Sequence, residues 1–403
     1  MPISRRDSVA VLMAAASVLG ARASRAADEP EIVVGAPNSL TGGLGENGQR
    51  AVWGFLIAVE QINREGGIKS LGGAKLKPIV ADTTSENPTQ GASVTRRIID
   101  QDHAVVLFGA TASAITLAAQ VEAEKSQVPI VTSSYADPLV QRGMKYTFKI
   151  TAPGSLTWNF AMDALVDMFK AEHGSAPKSC GIFMGSDAVS MSVAKSLPVE
   201  AQRIGLPIVS QVNFQGNLTD PSVIVSPILQ NKPDTIFLSA FLNDAVLVLK
   251  TLRGLGIKTP VAAAGGVSTD SAGKTLAAAA DGVFMPWSWN WDLAVPGESE
   301  LNDAYKKAHP DAPYPSNNEQ LGMGYSIGLI IRQALEKTAS RDSMKLRDTL
   351  ATTEFTDLPM PGKRIAFDAT GLNKYAQMIL TEWSGGNAHT VWPKELQAMK
   401  PTL

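Results

Sequence analysis

IVVGAPNSLTGGLGENGQRAVWGFLIAVEQINREGGI, residues 32–68, carries a strand, a Gly-rich loop and a helix in one pass. Ile32, Val33 and Val34 are β-branched and give way to Gly35, Pro37, Asn38 and Ser39, the pattern of a buried strand running into a loop. Val52, Phe55, Leu56, Val59 and Ile62 recur at three- and four-residue steps, which predicts a helix, and Gly66 and Gly67 stop it after Asn63. Glycines between a strand and a helix let the backbone approach a small ligand, and the free N–H groups of the helix's first turn favour an anion.

The same order repeats downstream. Strands predicted at residues 76–81, 104–108, 129–132 and 148–151 alternate with helices at 89–100 and 113–126. A second series places strands at 179–184, 207–214, 235–238 and 260–263, with helices near 158–173, 189–204 and 244–255. Such alternation implies right-handed crossovers and parallel sheets covered on both faces, an α/β chain. At 403 residues the chain exceeds what one core usually supports, so two domains are expected. Residues 287–315 are richer in Pro, Asn and Trp; a long helix follows at 320–337, and the tail reads as strands at 365–368, 377–383 and 390–393.

Residues 1–26 read as an export signal, with a basic start at Arg5 and Arg6, an apolar run over 9–21, and small residues at Ser24 and Ala26. The run is well short of the roughly 20 residues that span a bilayer, and Ser4-Arg5-Arg6 leaves twin-arginine and general secretion both open. The mature chain is therefore expected in the periplasm. A net charge of −2 provides no electrostatic footprint for nucleic acid. The single cysteine, Cys180, sits at the start of a predicted strand and reads as a buried structural thiol.

Several motifs fail on spacing. Gly43-Leu44-Gly45-Glu46-Asn47-Gly48 matches the dinucleotide fingerprint, but the acid that should follow about 20 residues on falls only at Asp82, and several residues separate Val34 from Gly43. Gly273-Lys274-Thr275 lacks the upstream glycine of a phosphate loop, because position 268 is Ser. His103, His173, His309 and His389 are scattered without metal-ligand spacing, and there is no nucleophile elbow. No catalytic set, metal or cofactor is expected. Ser113 differs: it ends a strand and opens a helix, where its hydroxyl can cap that helix or turn to a ligand carboxylate. Residues 132–138 form a second polar loop at the neighbouring strand's carboxyl end, where open α/β sheets bind ligands.

Leu40-Thr41-Gly42, Gly48, residues 62–68, Asp82 with Asn87-Pro88, residues 109–113, Val128-Pro129-Ile130, residues 322–325, and Phe367-Asp368 with Gly371 together run through nearly the whole mature chain. On these marks the chain resembles the periplasmic solute-binding proteins of ABC transporters, of the leucine/isoleucine/valine-binding type. The resemblance implies two Rossmann-like lobes with parallel central sheets joined by a three-strand hinge. It places the first lobe at 31–150 and 286–370 and the second at 151–285 and 371–403, with crossings near Thr151, Pro286 and Thr370. A monomer that carries a small-molecule solute to an inner-membrane ABC permease is implied. A sensing subunit with the same cleft and an exported nicotinamide-dependent oxidoreductase are the alternatives.

Carried over residue by residue, Ser113 matches the serine that holds the ligand carboxylate, and Ser134 and Ala136 match the next contact loop. Ala136 stands where a Thr hydroxyl often helps. Asn47 takes a position that is often aromatic, Val189 one that usually presents Tyr, and Phe241 keeps a ring without the hydroxyl. Gly265 aligns with the Glu that pairs with an amino acid's ammonium group. A buried ammonium without an anionic partner costs on the order of several kcal/mol. The expected ligand therefore keeps a carboxylate and lacks an α-ammonium, unless Asp187, Asp244 or Asp270 replaces the Glu. Trp287 and Trp289 are either ring-stacking walls or core packing.

Overall fold

The structure, a computed structural model, describes residues 31–403; the export segment expected at 1–26 lies outside them. The first series runs β1 (Glu31–Asn38), α1 (Gly45–Arg64), β2 (Lys75–Asp82), α2 (Pro88–Asp100), β3 (Val106–Phe108), α3 (Ser113–Ser126), β4 (Ile130–Thr132) and β5 (Thr147–Lys149). These strands make one parallel sheet in the order β2-β1-β3-β4-β5. The chain reverses direction across the sheet between β1 and β3, which opens a crevice at their carboxyl ends.

The second series repeats the plan: α4 (Gly154–His173), β6 (Cys180–Met184), α5 (Ala188–Ile204), β7 (Ile208–Asn213), α6 (Ser222–Asn231), β8 (Thr235–Ala240), α7 (Leu242–Gly254), β9 (Val261–Gly265), α8 (Asp270–Leu276) and β10 (Val283–Trp287). Its order, β7-β6-β8-β9-β10, is the same permutation as the first. All residues of β6 and β8 are buried, as expected for strands covered on both faces.

After β10 come α9 (Glu298–Ala308), α10 (Gln320–Thr338), α11 (Ser343–Thr352), β11 (Glu354–Thr356) and β12 (Arg364–Ala366), then β13 (Ile379–Ser384) and β14 (Asn387–Trp392). The last two join the second sheet beside β10 and run antiparallel, so this sheet is mixed where a parallel one was expected. The helix α10 packs on α1 with backbones almost touching. A Cβ on Gly54 would lie 1.9 Å from the Leu321 carbonyl oxygen, and one on Gly324 would lie 1.9 Å from that of Ala51. That contact returns the segment after β10 to the first lobe.

The chain passes between the lobes after β5, after β10 and before β13. At the first passage Lys149 is buried, and its Nζ donates to Thr151 O at 2.9 Å, Thr151 Oγ1 at 2.6 Å and Ala152 O at 2.6 Å. The third passage comes later than Thr370. Lys149 N donates to Gly371 O at 2.8 Å and Asn373 Nδ2 to Ile150 O at 2.9 Å, so the edge of β5 holds the chain as far as Asn373.

Candidate functional site

A cavity of about 300 Å³ lies between the lobes, walled by loops at the carboxyl ends of β1, β3 and β4 on one side and of β6, β8, β9 and β10 on the other. Its apolar wall includes Leu44, Trp158, Val189, Phe241 and Pro286, and no Lys, Arg or His is among its lining residues. The charged side chains that reach it are Glu86, Asp187 and Glu319.

Ser113 lines this cavity at the head of α3, whose N-cap, Ala112, makes no side-chain bond to the helix. The first N–H groups of α3 are therefore without intrahelical partners. Ser113 Oγ does not cap the helix. It accepts from Tyr135 N at 3.3 Å and Ala136 N at 3.2 Å, which occupies its lone pairs and leaves its own hydrogen to donate elsewhere. A carboxylate seated there would meet a hydroxyl donor and open helix N–H groups together.

Asn47, Val189, Phe241 and Gly265 also line the cavity. Asn47 Oδ1 is buried without a partner among the described residues. Ser134 and Ala136 do not reach it. Ser134 Oγ turns into the first lobe, 2.6 Å from Thr116 Oγ1 and bonded to Ala110 O, and Ala136 is fully buried. Successive side chains of an extended segment point to opposite sides. Ser134 and Ala136 share the inward side, so the residue between them, Tyr135, is the one that faces the ligand space.

Gly265 has φ +85°, and a Cβ there would lie 2.5 Å from the Ala240 carbonyl oxygen. The backbone at this turn excludes the acid that the resemblance leads one to look for. The three aspartates considered as substitutes are already engaged. Asp187 caps α5, accepting from Val189 N and Ser190 N at 3.0 Å each. Asp244 holds Asn217 N and Leu218 N at 3.0 and 2.7 Å. Asp270 pairs with Arg50 across the two lobes at 2.9 Å, both side chains almost fully buried. Burial raises the Asp270 carboxyl above its ordinary range, and Arg50 offsets part of that rise. Trp287 and Trp289 belong to the core: Trp287 Nε1 donates to Ser268 Oγ at 2.9 Å, and Trp289 lies flat against Gly322.

A further acid that lines the cavity, besides Glu86 and Asp187, is Glu319, immediately before α10. Its Oε2 accepts from Tyr135 OH at 2.7 Å and from Ser288 N at 2.7 Å. Burial pushes its carboxyl up to about 7, against the lowering effect of those two donors and of Lys149. Beside it Gln320 lines the cavity, with its Oε1 accepting from Ser133 Oγ at 2.8 Å. Tyr135 comes from the polar loop expected at 132–138, whereas Trp158, Glu319 and Gln320 line the cavity without a signal in the sequence that marks them as contacts. A Glu-Gln pair opening an apolar helix carries the same signature as an exposed helix start, so only the packing of α10 against α1 reveals it as buried.

Gly45 and Gly48 lie inside α1 and do not form a tight phosphate turn. Among the described residues no cluster of His, Cys, Asp and Glu could hold a metal ion. Cys180 is buried at the head of β6, and burial pushes its thiol up to about 12.

Residues 31–387 match the family described as periplasmic binding protein. The chain belongs to that family. Its members are solute-binding proteins of the periplasm, not enzymes, and they work with ABC permeases. Among curated relatives, Leu/Ile/Val-binding protein homolog 7 of Brucella abortus is 26% identical, with 94% of this chain and 96% of that protein covered. The substrate-binding protein LivJ of Streptococcus pneumoniae in complex with isoleucine superposes with a TM-score of 0.76 at 21% identity, covering 89% of this chain and 97% of LivJ. A solute-binding protein of R. palustris in complex with benzoate superposes with a TM-score of 0.75 at 17% identity, covering 90% and 95% of the two chains. Family members thus share this two-lobed α/β fold.

Proposed function

We propose that this binding protein captures a small carboxylate-bearing solute between its lobes, a non-amino organic acid in preference to an amino acid, and presents it to an inner-membrane ABC permease. The observation that carries the reading is Ser113: its hydroxyl hydrogen is free, it stands at an uncapped helix N-terminus, and it faces the cavity. With no cationic side chain in the wall, a carboxylate would be held by N–H and O–H donors alone, as at other helix N-termini. Leu44, Trp158, Val189 and Phe241 then enclose an apolar body. Gly265 supports the non-amino version, because an α-ammonium would lack the family's acid there. The relatives named above are compatible with either chemistry, since one is a Leu/Ile/Val-binding homolog and another holds benzoate.

Capture would proceed by hinge closure. A ligand that touches both lobes binds the closed form better and shifts the population towards it. The buried Arg50–Asp270 pair joins α1 of one lobe to α8 of the other, so it would break if the lobes part. A thermal-shift screen of the exported, mature protein tests the reading with leucine, isoleucine, benzoate and hexanoate, each acid beside its neutral amide. Stabilisation by benzoate or hexanoate, and not by benzamide or hexanamide, is expected. Tight binding of leucine would sink the non-amino version, and equal response to acid and amide would sink the carboxylate reading.

A further inference from the structure

Glu319 and Gln320 are 5% and 4% exposed, yet each keeps a polar atom without a partner among the described residues. Both donors to Glu319 converge on Oε2, so Oε1 is left without a partner. Gln320 spends Oε1 on Ser133, so its Nε2 hydrogens are left likewise. Both residues line the ligand cavity. They also lie away from Ser113, because Tyr135 spans the gap: its backbone N–H goes to Ser113 Oγ and its hydroxyl, at the far end of the ring, to Glu319.

We propose that Glu319 and Gln320 form a second polar end of the cavity that takes a hydrogen-bond acceptor, a carbonyl or ether oxygen, on the part of the solute remote from its carboxylate. The inference rests on the carboxylate reading above and adds a substrate class to it, the oxo- or alkoxy-substituted acids. With Oε2 already receiving two donors, the acid's proton belongs on Oε1, which makes Oε1–H and Gln320 Nε2 two donors side by side. Tyr135, Ser288 and Lys149 are the groups that act on Glu319, and Glu86 and Asp187 are the other acids in the cavity wall. An incoming carboxylate adds another negative charge to that wall and favours the protonated acid further. Burial already holds this carboxyl up at about 7, so the proton is available near neutral pH.

Titration calorimetry on the mature protein with two near-isosteric pairs tests this: 5-oxohexanoate against 5-methylhexanoate, and 4-acetylbenzoate against 4-isopropylbenzoate. In at least one pair the ketone should bind about tenfold more tightly, the value of leaving no buried donor unpaired. That preference should fall as pH rises from 6 to 8, because ionised Oε1 would face the ligand's oxygen. Glu319→Gln should keep the preference and lose its pH dependence, and Glu319→Leu should reduce the preference to the part that Gln320 alone supplies. Equal binding within both pairs, or a preference for 4-(aminomethyl)benzoate over 4-acetylbenzoate, overturns the assignment of Glu319 and leaves the carboxylate reading intact. Failure of all these acids to bind defeats the carboxylate reading and this proposal with it. If Glu319→Leu does not fold, the wild-type pH series and Glu319→Gln decide the matter.

Discussion

Replacing Ser113 by Ala removes two things at once. The first is the hydroxyl donor, whose bond to a carboxylate is charge-assisted and worth about 1.5–3 kcal/mol. At about 1.4 kcal/mol per decade, affinity should fall roughly 10- to 100-fold. The second is the acceptor for Tyr135 N and Ala136 N, at 3.3 and 3.2 Å. These bonds are at the long end of the N–H···O range, so their loss should cost about 1–2 kcal/mol of stability at most. The two effects separate by measurement: calorimetry with the acid that protects best in the screen reads the first, and urea denaturation without ligand reads the second. Ser113→Thr keeps a hydroxyl and should retain most of the affinity. The neutral amide of the same acid should lose little on Ser113→Ala. An affinity for the acid within about twofold of wild type would refute the reasoning and reduce Ser113 to a tie between two loops.

Arg50→Met strands Asp270 as a buried, unpaired acid and should destabilise by about 3–5 kcal/mol, whereas Arg50→Met with Asp270→Leu should recover most of that loss; small-angle scattering should also show a more open ligand-free form in both variants. Gly265→Glu restores the residue type of the family's acid on a backbone that rejects it, so a lower melting temperature and no gain in leucine affinity are expected. Glu298, buried against Asn302, has its carboxyl pushed up to about 8 by burial. A folded-state value above the unfolded one favours folding with the proton bound, so this contribution is complete below about pH 4.5 and is lost as pH rises through about 8. Glu298→Gln should therefore raise stability at pH 9 relative to wild type and flatten the pH profile, as read by urea midpoints at pH 6 and 9.

The alternation of strand and helix was legible because each element carries its own period. Ser113–Ser126 is a helix over the residues its pattern predicts, and the strand after Ser179 is one residue shorter than expected. Elements without such a period were not read. Helix α6 contains Pro227 and follows Pro221, and α9 lies in the Pro-, Asn- and Trp-rich stretch that showed no apolar periodicity. The pairing of β13 with β10 joins residues about a hundred positions apart, and nothing local specifies it. For the site, Ser113 was legible because a strand end, a helix start and a hydroxyl coincide in one short segment. Which of residues 134–136 faces the ligand was not, because a shift of one residue in an extended segment reverses every side chain. Glu319 was hidden for a different reason: its environment is made by Tyr135, Lys149 and Ser288, which come from other parts of the chain.

The acid that the resemblance implies at Gly265 has no room on this backbone. At that turn the chain takes a left-handed backbone on which a Cβ would lie 2.5 Å from the Ala240 carbonyl oxygen, which admits only glycine without strain. At Glu319 the acid is fixed by two donors on one oxygen and sits where burial favours its neutral form. A carboxylate at Gly265 would be placed to attract an ammonium group; one at Glu319 that holds its proton instead donates a hydrogen bond. On the proposal above, an acid at Glu319 would select an oxygen remote from the carboxylate, where one at Gly265 would select a cation beside it. The frame around both positions stays the same, because the sheet order and the crevice it opens do not depend on either side chain. The Glu319 pH series is the measurement that separates a proton donor from a cation partner at this end of the cleft.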